Sequence, residues 1–194
     1  MGDPPVLVAR LALPDGDLNV GAGEVVELPD DPRHVAALIG VAGRHRGHRI
    51  TLAARRLDRL APDARVRAGL AAVSSIEVAP DVSIRDHLAA VVGRRRGDAA
   101  LAGTPLLAGR GDDSAGLLSG GERRVLAWLV ADVTTPRAVV LDRAGTGLDP
   151  VAFRWVHGVL DDWLDRGVAV LVRVGRDEEA RWRTHRADGS TRTS

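Results

Sequence analysis

The clearest pattern of apolar positions along the chain is a helical one in its second half. Apolar side chains recur on one helical face after Gly121, at Val125, Leu126, Leu129, Val130 and Val133. Just before them, Ser119 and Glu122 have the S-x-x-E spacing of a capping box, which satisfies free amide groups at the start of a helix. A proline ends the pattern, and the apolar run 138–141 leads into Asp142. This stretch predicts a capped helix followed by a buried strand.

The first half alternates between short apolar runs and helical stretches. Residues 6–13 and 23–28 are predicted strands. A helix is predicted next, with its apolar face formed by Val35, Leu38, Ile39 and Ala42. Strand-like runs follow at 49–57 and 70–73, and a short helix is predicted between them over 61–69. Strands that alternate with helices favour an α/β domain with a mostly parallel sheet.

The middle of the chain predicts one helix and then a long connection. Ser83 and Asp86 mark a helix start, and the apolar side of this helix consists of Ile84, Leu88, Val91 and Val92. The triplet 94–96 is all arginine and is expected to close this helix, because positive charge complements the negative end of the helix dipole. Residues 97–116 are rich in Gly, Ala and Asp, and are predicted to be dominated by loops.

The end of the chain predicts a further helix and strand. The apolar stripe of the helix consists of Phe153, Val156, Leu160, Trp163 and Leu164, which are expected to be core residues. Gly167 stands where a helix C-cap belongs. A buried strand is predicted over 168–174, interrupted by Arg173, and the last residues, 181–194, form a polar tail.

Composition narrows the possible functions. The chain of 194 residues is long enough for one domain with a sizeable core. It has no Cys, which excludes disulfides and thiolate metal sites, and its net charge of +1 gives no reason to expect binding to nucleic acid. No run is long and apolar enough to span a bilayer, and no signal-peptide pattern is present at its start. All 27 basic residues are Arg, so the chain contains no Lys, and it also lacks Gln and Tyr.

Two motifs and their spacing carry the functional signal. The first is Leu118, Ser119, Gly120, Gly121 and Glu122; the second, after the strand that ends in Asp142, contains Gly147, Leu148 and Asp149. In this order they resemble the signature loop, Walker B strand and D-loop of the ABC (ATP-binding cassette) ATPases, whose fold is a P-loop NTPase-like α/β cassette with a helical subdomain. The stretch around residues 67–88 resembles cassettes of branched-chain amino acid importers most. The resemblance implies one cassette-like unit over 1–180, with a reduced helical subdomain at about 81–118.

The nucleotide-binding half of the family pattern is missing. In the family, a strand like residues 23–26 leads into the Walker A loop, G-x-x-x-x-G-K-[ST], whose amides and Lys hold phosphates. Here the strand leads into Pro29, Asp30, Asp31 and Pro32. Asp31 is predicted to be the N-cap of the next helix with proline at its first position. A carboxylate there satisfies the anion-favouring helix end, and Asp30 beside it would repel a phosphate.

The other catalytic positions of the family also differ in this chain. Ser74 or Ser75 stands near the place of the Q-loop Gln, and Arg143 replaces the catalytic Glu. Gly175 and Arg176 stand where the family has its switch His and the following Asp, and no aromatic residue precedes Trp128 to stack on adenine. Of the metal-binding set at most Asp142 remains. Arg143 is expected to form an ion pair with Asp142 or a neighbouring acid.

The sequence therefore predicts a pseudo-ATPase that pairs with an active cassette. In the family, two cassettes dimerise head to tail, so the signature loop and D-loop of this chain would face ATP and Mg²⁺ held by an intact partner, while its own site binds no cofactor. A membrane permease is a further expected partner, and the expected location is the cytoplasm or the inner face of the cell membrane. Two alternatives stay open at this point: an active ATPase with an atypical nucleotide site, and a scaffold or regulatory protein that keeps the motif only as a helix cap.

Overall fold

A computed structural model describes residues 5–14, 16–41, 47–74 and 79–175 of the chain. Within these residues the chain forms two four-stranded sheets with helices packed around them. The strands are β1 (Leu7–Arg10), β2 (Asp17–Val20), β3 (Val25–Glu27), β4 (Arg49–Leu52), β5 (Arg55–Arg56), β6 (Leu70–Val73), β7 (Ala138–Asp142) and β8 (Ala169–Arg173). The helices are α1 (Pro32–Ile39), α2 (Pro62–Arg67), α3 (Ile84–Val92), α4 (Arg94–Ala102), α5 (Gly120–Val133) and α6 (Pro150–Asp165), with a 3₁₀ turn at Ala115–Leu117.

The central sheet is parallel, with the strand order β3-β8-β7-β6. Its two middle strands are almost wholly apolar up to their last residues, and they are buried on both faces. Helices that connect parallel strands must return across a face of the sheet, which is why apolar helices alternate with these strands along the chain. The predicted α/β class is confirmed, and so is the buried strand that ends in Asp142.

The second sheet is antiparallel, with the order β2-β1-β4-β5, and the sequence did not predict it. Its strand β2 alternates exposed and buried residues over only four positions. So short a pattern is not distinguishable from a loop without the partner strand. The apolar side of this sheet, with Leu7 and Ile50, packs in one cluster with α1 and one face of the parallel sheet.

The stretch 94–116 differs from its prediction. Arg94, Arg95 and Arg96 do not close α3; they form the first turn of α4, which the sequence placed in a loop. Gly93 separates the two helices with φ +80° and ψ 155°, a conformation that no helix can continue through and that glycine adopts most readily. The two helices then pack against each other and against α5.

The helix starts and the aromatic core agree with the sequence. Asp31 caps α1 with Pro32 in its first turn, and α5 begins with the complete capping box. Trp163 of α6 is fully buried, as predicted, and stacks on the equally buried Trp128 of α5 with ring centroids 5.1 Å apart. This packing holds the helix behind the signature motif rigidly against the helix behind the D-loop motif.

In the part of the chain that the structure describes, every helix is too short or too polar to cross a bilayer.

Candidate functional site

Three charged side chains meet at the carboxyl edge of the parallel sheet, the edge at which ligands bind in open α/β folds. Asp142 is the last residue of β7, Arg173 is the last residue of β8, and Asp30 lies just beyond β3. Arg173 lies between the two carboxylates: its Nη1 donates to Asp30 Oδ1 at 3.0 Å, and its Nη2 lies 2.6 Å from Asp142 Oδ1. The second contact is close but lies off the hydrogen-bond direction, so it is an ion pair only.

Arg143 completes this group, which we call the carboxyl-edge cluster: Asp30, Asp142, Arg143 and Arg173. Its Nη2 lies 3.4 Å from Asp30 Oδ1, so the predicted ion pair with a neighbouring acid is present and the acid is Asp30. Asp142 pairs with Arg173 instead. The backbone of Arg143 adopts φ +48°, a left-handed conformation that is unfavourable for a residue with a side chain.

Burial makes Arg173 the centre of the cluster. Its side chain is 8% exposed and that of Asp142 is 19% exposed, whereas those of Asp30 and Arg143 are about half exposed. A buried guanidinium needs nearby carboxylates, because leaving its charge unpaired away from water is costly. The hydrogen bond from Arg173, helped by Arg143, lowers the pKa of Asp30 below its ordinary value of 3.8.

The connection between β3 and α1 has no room for a phosphate-binding loop. It consists of residues 28–31 only, and Asp31 Oδ1 accepts the backbone amide of Arg33 at 2.9 Å, as an N-cap does. The side-chain and backbone hydrogen bonds from Arg33 lower the pKa of Asp31 to about 2. A charged carboxylate therefore already satisfies the end of α1 that would otherwise attract an anion.

The charged residues at this edge are engaged with one another. The one carboxylate that the metal would use, Asp142, is held by Arg173. In the described part of the chain, no group of three or more His, Cys, Asp or Glu side chains is arranged to hold a metal ion.

Replacing Asp30 should make the free energy of unfolding depend less steeply on pH in acid. Because the folded pKa of Asp30 is below its ordinary value, its contribution to stability is complete above pH 3.8 and is lost as the pH falls through the folded pKa. We expect Asp30→Asn to lower the free energy of unfolding at neutral pH, and the difference from the parent protein to disappear in acid. Urea unfolding at a series of pH values measures this, with Asp17→Asn, another carboxylate near a strand end, as the matched control. A constant difference across that range would contradict the ion-pair role.

The signature motif begins α5 and leaves an open surface. Ser119 Oγ accepts the amide of Glu122 at 3.2 Å, and Glu122 Oε2 accepts the amide of Ser119 at 2.7 Å. The hydrogen bond from the amide of Ser119 lowers the pKa of the Glu122 carboxyl, helped by the Ser119 side chain and by Arg110, with which Glu122 also pairs. A Cβ added at Gly120 would meet nothing within 4 Å, and φ at this glycine is not positive. Neither steric contact nor backbone conformation therefore requires glycine at position 120. Leu118, the first residue of the motif, is buried.

The D-loop motif packs directly on the start of the signature helix. A Cβ at Gly121 would lie 3.1 Å from the carbonyl of Gly147, so the two glycine-containing segments approach each other closely. Leu148 is buried, and Asp149 caps α6 by accepting the amides of Val151 and Ala152 at 2.8 Å each. The two motifs, which are far apart in the sequence, thus lie side by side. We call residues 118–122 and 147–149 together the signature surface.

Two side chains of α5 tie that helix to the segment after β7. Trp128 Nε1 donates to the carbonyl of Ala144 at 3.0 Å, and Arg124 donates to the carbonyl of Arg143. The signature surface and the carboxyl-edge cluster are therefore connected through residues 143–144.

Sequence reasoning missed the part that Arg173 plays. It identified Arg173 only as an interruption of a strand and Asp30 only as a repelling charge. A signal was available, because Asp30, Asp142 and Arg173 all follow or end parallel strands, whose carboxyl ends meet at one edge. Of the remaining predicted positions, Ser74 and Gly175 follow β6 and β8 as expected, and Ser75 and Arg176 lie outside the described residues, as does the tail 181–194.

The structure is similar to those of known ATP-binding cassettes. The structure of an ATP-binding subunit of an ABC transporter matches with a TM-score of 0.75 at 17% identity, over 90% of this chain and 81% of that one. A dimeric ATP-binding cassette in a post-hydrolysis state, bound to ADP and Pi, matches with a TM-score of 0.70 at 16% identity, over 92% and 89% of the two chains. A nucleotide-free cassette from an ABC transporter matches with a TM-score of 0.68 at 13% identity, over 89% and 82%. No protein-family model matches the sequence, and no curated protein does.

This likeness establishes the fold. The chain folds as an ABC ATP-binding cassette, as its two motifs implied.

Proposed function

We propose that this cassette is a pseudo-ATPase subunit, which pairs with an intact cassette and completes the ATP site of that partner. The observation that carries the proposal is the carboxyl-edge cluster: two arginines and two aspartates form ion pairs with one another at the edge where a cassette would hold its own nucleotide. Hydrolysis would require phosphate cradling, a bound metal ion and an activated water molecule together.

The charges of the cluster oppose the binding of magnesium-bound ATP. A magnesium ion at Asp142 would have to displace the guanidinium of Arg173, which is buried and would lose its closest carboxylate. A phosphate at the start of α1 would meet Asp31, which stays ionised far below neutral pH, and Asp30 beside it. Both contacts support a site that holds no nucleotide of its own.

The signature surface supports the pairing. Ser119 is oriented by its capping contacts, and Gly120 leaves the start of α5 open to close approach by a ligand. The capping contacts use the amides of Ser119 and Glu122, and Arg110 pairs with the Glu122 carboxylate. The amides of Gly120 and Gly121 are therefore left at the helix start to attract a phosphate group. One of the similar structures is a dimeric cassette bound to ADP and Pi, which is a precedent for a dimer of this fold with a bound nucleotide. In the proposed dimer, residues 118–122 and 147–149 face the nucleotide of the partner.

The partner cassette, the membrane permease and the location are proposed from the resemblance to ABC cassettes alone. The partner of this chain is an intact cassette, and a membrane permease carries both of them at the inner face of the cell membrane. The particular resemblance to cassettes of branched-chain amino acid importers stays a prediction, because it depends on residues 67–88 only.

A titration of the isolated protein with ATP in the presence and absence of Mg²⁺ tests the proposal. We expect no Mg²⁺-dependent binding at physiological ATP concentrations, because Asp142 is engaged by Arg173 and no loop cradles the phosphates. Isothermal titration calorimetry measures this directly. Micromolar, Mg²⁺-dependent binding that disappears in Asp142→Ala would refute the proposal and favour an active ATPase with an atypical site.

A further inference from the structure

A groove of about 710 Å³ lies at the edge of the parallel sheet opposite the carboxyl-edge cluster. Gly69 and Arg137 contribute to it where β6 and β7 begin, so it is at the amino-terminal edge of the sheet. The hairpin between β4 and β5 forms another wall. The groove is thus separate from every residue used in the proposed function.

The carboxyl-terminal turns of three helices line this groove, so the negative ends of their dipoles lie beside it. Residues of the last turns of α2, α3 and α5 line it, among them Val66, Val92 and Val133. Each helix end is equivalent to about half a negative charge. Without compensation the groove would attract cations.

Four arginines reverse that charge: Arg55, Arg67, Arg96 and Arg137 line the groove, and no carboxylate does. Within the described residues only Arg67 has an ion-pair partner, the exposed Asp63, at 2.7 Å. Arg96 Nη2 donates to the carbonyl of Val133 at 3.2 Å, which satisfies part of one helix end. Four full positive charges exceed three half charges and one carboxylate, so the groove keeps an excess of positive charge.

Two locally unfavourable features lie at this groove: cations at a helix start, and positive φ angles at residues other than glycine. Arg96 belongs to the arginine triplet that begins α4, where the helix dipole disfavours cations, and the first turn contains no acidic residue or side-chain cap. Ala53 and Thr135, which also line the groove, have φ +45° and +50° without being glycine. Backbone strain and departures from local sequence preference are concentrated at binding sites more than elsewhere.

We propose that this groove binds a free small molecule that carries two or more phosphate groups. Its volume is within the range of small-ligand sites. Guanidinium groups bind phosphate oxygens through paired hydrogen bonds, and four of them suit a ligand with several phosphates. The described lining contains no aromatic residue on which nucleic-acid bases could stack. The groove is concave, so a ligand that can enter it fits better than a headgroup held in a flat bilayer.

Titration of the purified protein with tripolyphosphate in Mg²⁺-free buffer tests this proposal. We expect saturable binding that the double variant Arg55→Ala/Arg137→Ala weakens by about tenfold or more, because two charge-assisted contacts are lost. These two arginines have no carboxylate partner among the described residues, so the variant should unfold at the same temperature as the parent. The matched control is Arg10→Ala/Arg154→Ala, which removes two exposed arginines outside the groove and should leave the affinity unchanged.

Two outcomes would overturn the proposal. One is equal affinity of the parent and the Arg55→Ala/Arg137→Ala variant for tripolyphosphate. The other is co-sedimentation with phosphatidylcholine vesicles that contain cardiolipin, without binding of free tripolyphosphate, which would assign the arginines to a membrane surface. Asp142→Ala should leave tripolyphosphate binding unchanged, so this result is independent of the ATP titration proposed above.

Discussion

The substitution Gly120→Asp should abolish the ATPase activity of the complex between this chain and its partner cassette. In the proposed dimer the new carboxylate would face the phosphates of the partner's ATP and would occupy the space through which they approach. Removing one preorganised donor that faces developing charge costs about 10²- to 10³-fold in rate, and a repelling charge adds to that loss. The measurement is the steady-state ATPase rate of the complex, recovered by affinity purification of the tagged chain and shown to contain an intact cassette.

The fold of the variant should be unaffected, which makes the result interpretable. A Cβ at position 120 meets no atom within 4 Å, and an acidic residue in the first turn of α5 is favourable for the helix dipole. The melting temperature of Gly120→Asp should therefore equal or exceed that of the parent. Gly158→Asp on α6 is the matched control, because its Cβ also has open space and it lies outside both motifs. Unchanged turnover with Gly120→Asp would mean that the motif is only a helix cap.

The second large effect is expected from Trp128→Ala, on stability. Trp128 is fully buried, stacks on Trp163 and donates its only hydrogen bond to the carbonyl of Ala144. Removing a buried Trp side chain costs about 3–5 kcal/mol, a large part of the roughly 5–15 kcal/mol that stabilises a domain. The midpoint of urea unfolding should fall accordingly, with little change in the dependence on denaturant.

Two comparisons separate packing from hydrogen bonding at this position. Trp128→Phe keeps a ring but leaves the carbonyl of Ala144 without its donor, which should cost about 1–3 kcal/mol. Trp155→Ala removes a Trp that is only partly buried, so its cost should be smaller. If Trp128→Ala costs no more than Trp155→Ala, the stacked pair is not the centre of this core.

Contacts between near neighbours in the chain were predictable from the sequence. The capping box of Ser119 and Glu122, the N-cap Asp31 and the strand that ends in Asp142 were all correct, because each depends on residues within a few positions of one another. The family motifs are local in the same sense. The prediction for residues 94–96 was wrong for a local reason as well. Three arginines suit the end of a helix, and the sequence pattern did not show that Gly93 ends α3 and that a second helix begins at Arg94.

The pairing of charges could not be predicted from the sequence and follows from the packing of the strands. Asp30 and Arg173 are more than a hundred positions apart, and Asp142 pairs with Arg173 rather than with the adjacent Arg143. These partners are set by the order of parallel strands, which brings the ends of β3, β8 and β7 side by side. The arginine-lined groove likewise depends on three helices and a hairpin that meet at the other edge. Short-range hydrogen bonding and apolar periodicity were enough to predict the strands of the parallel sheet, the helices other than α4, the caps of α1, α3 and α5, and the family motifs. The ion-pair partners and the groove were decided by strand order and helix packing, which no local pattern encodes.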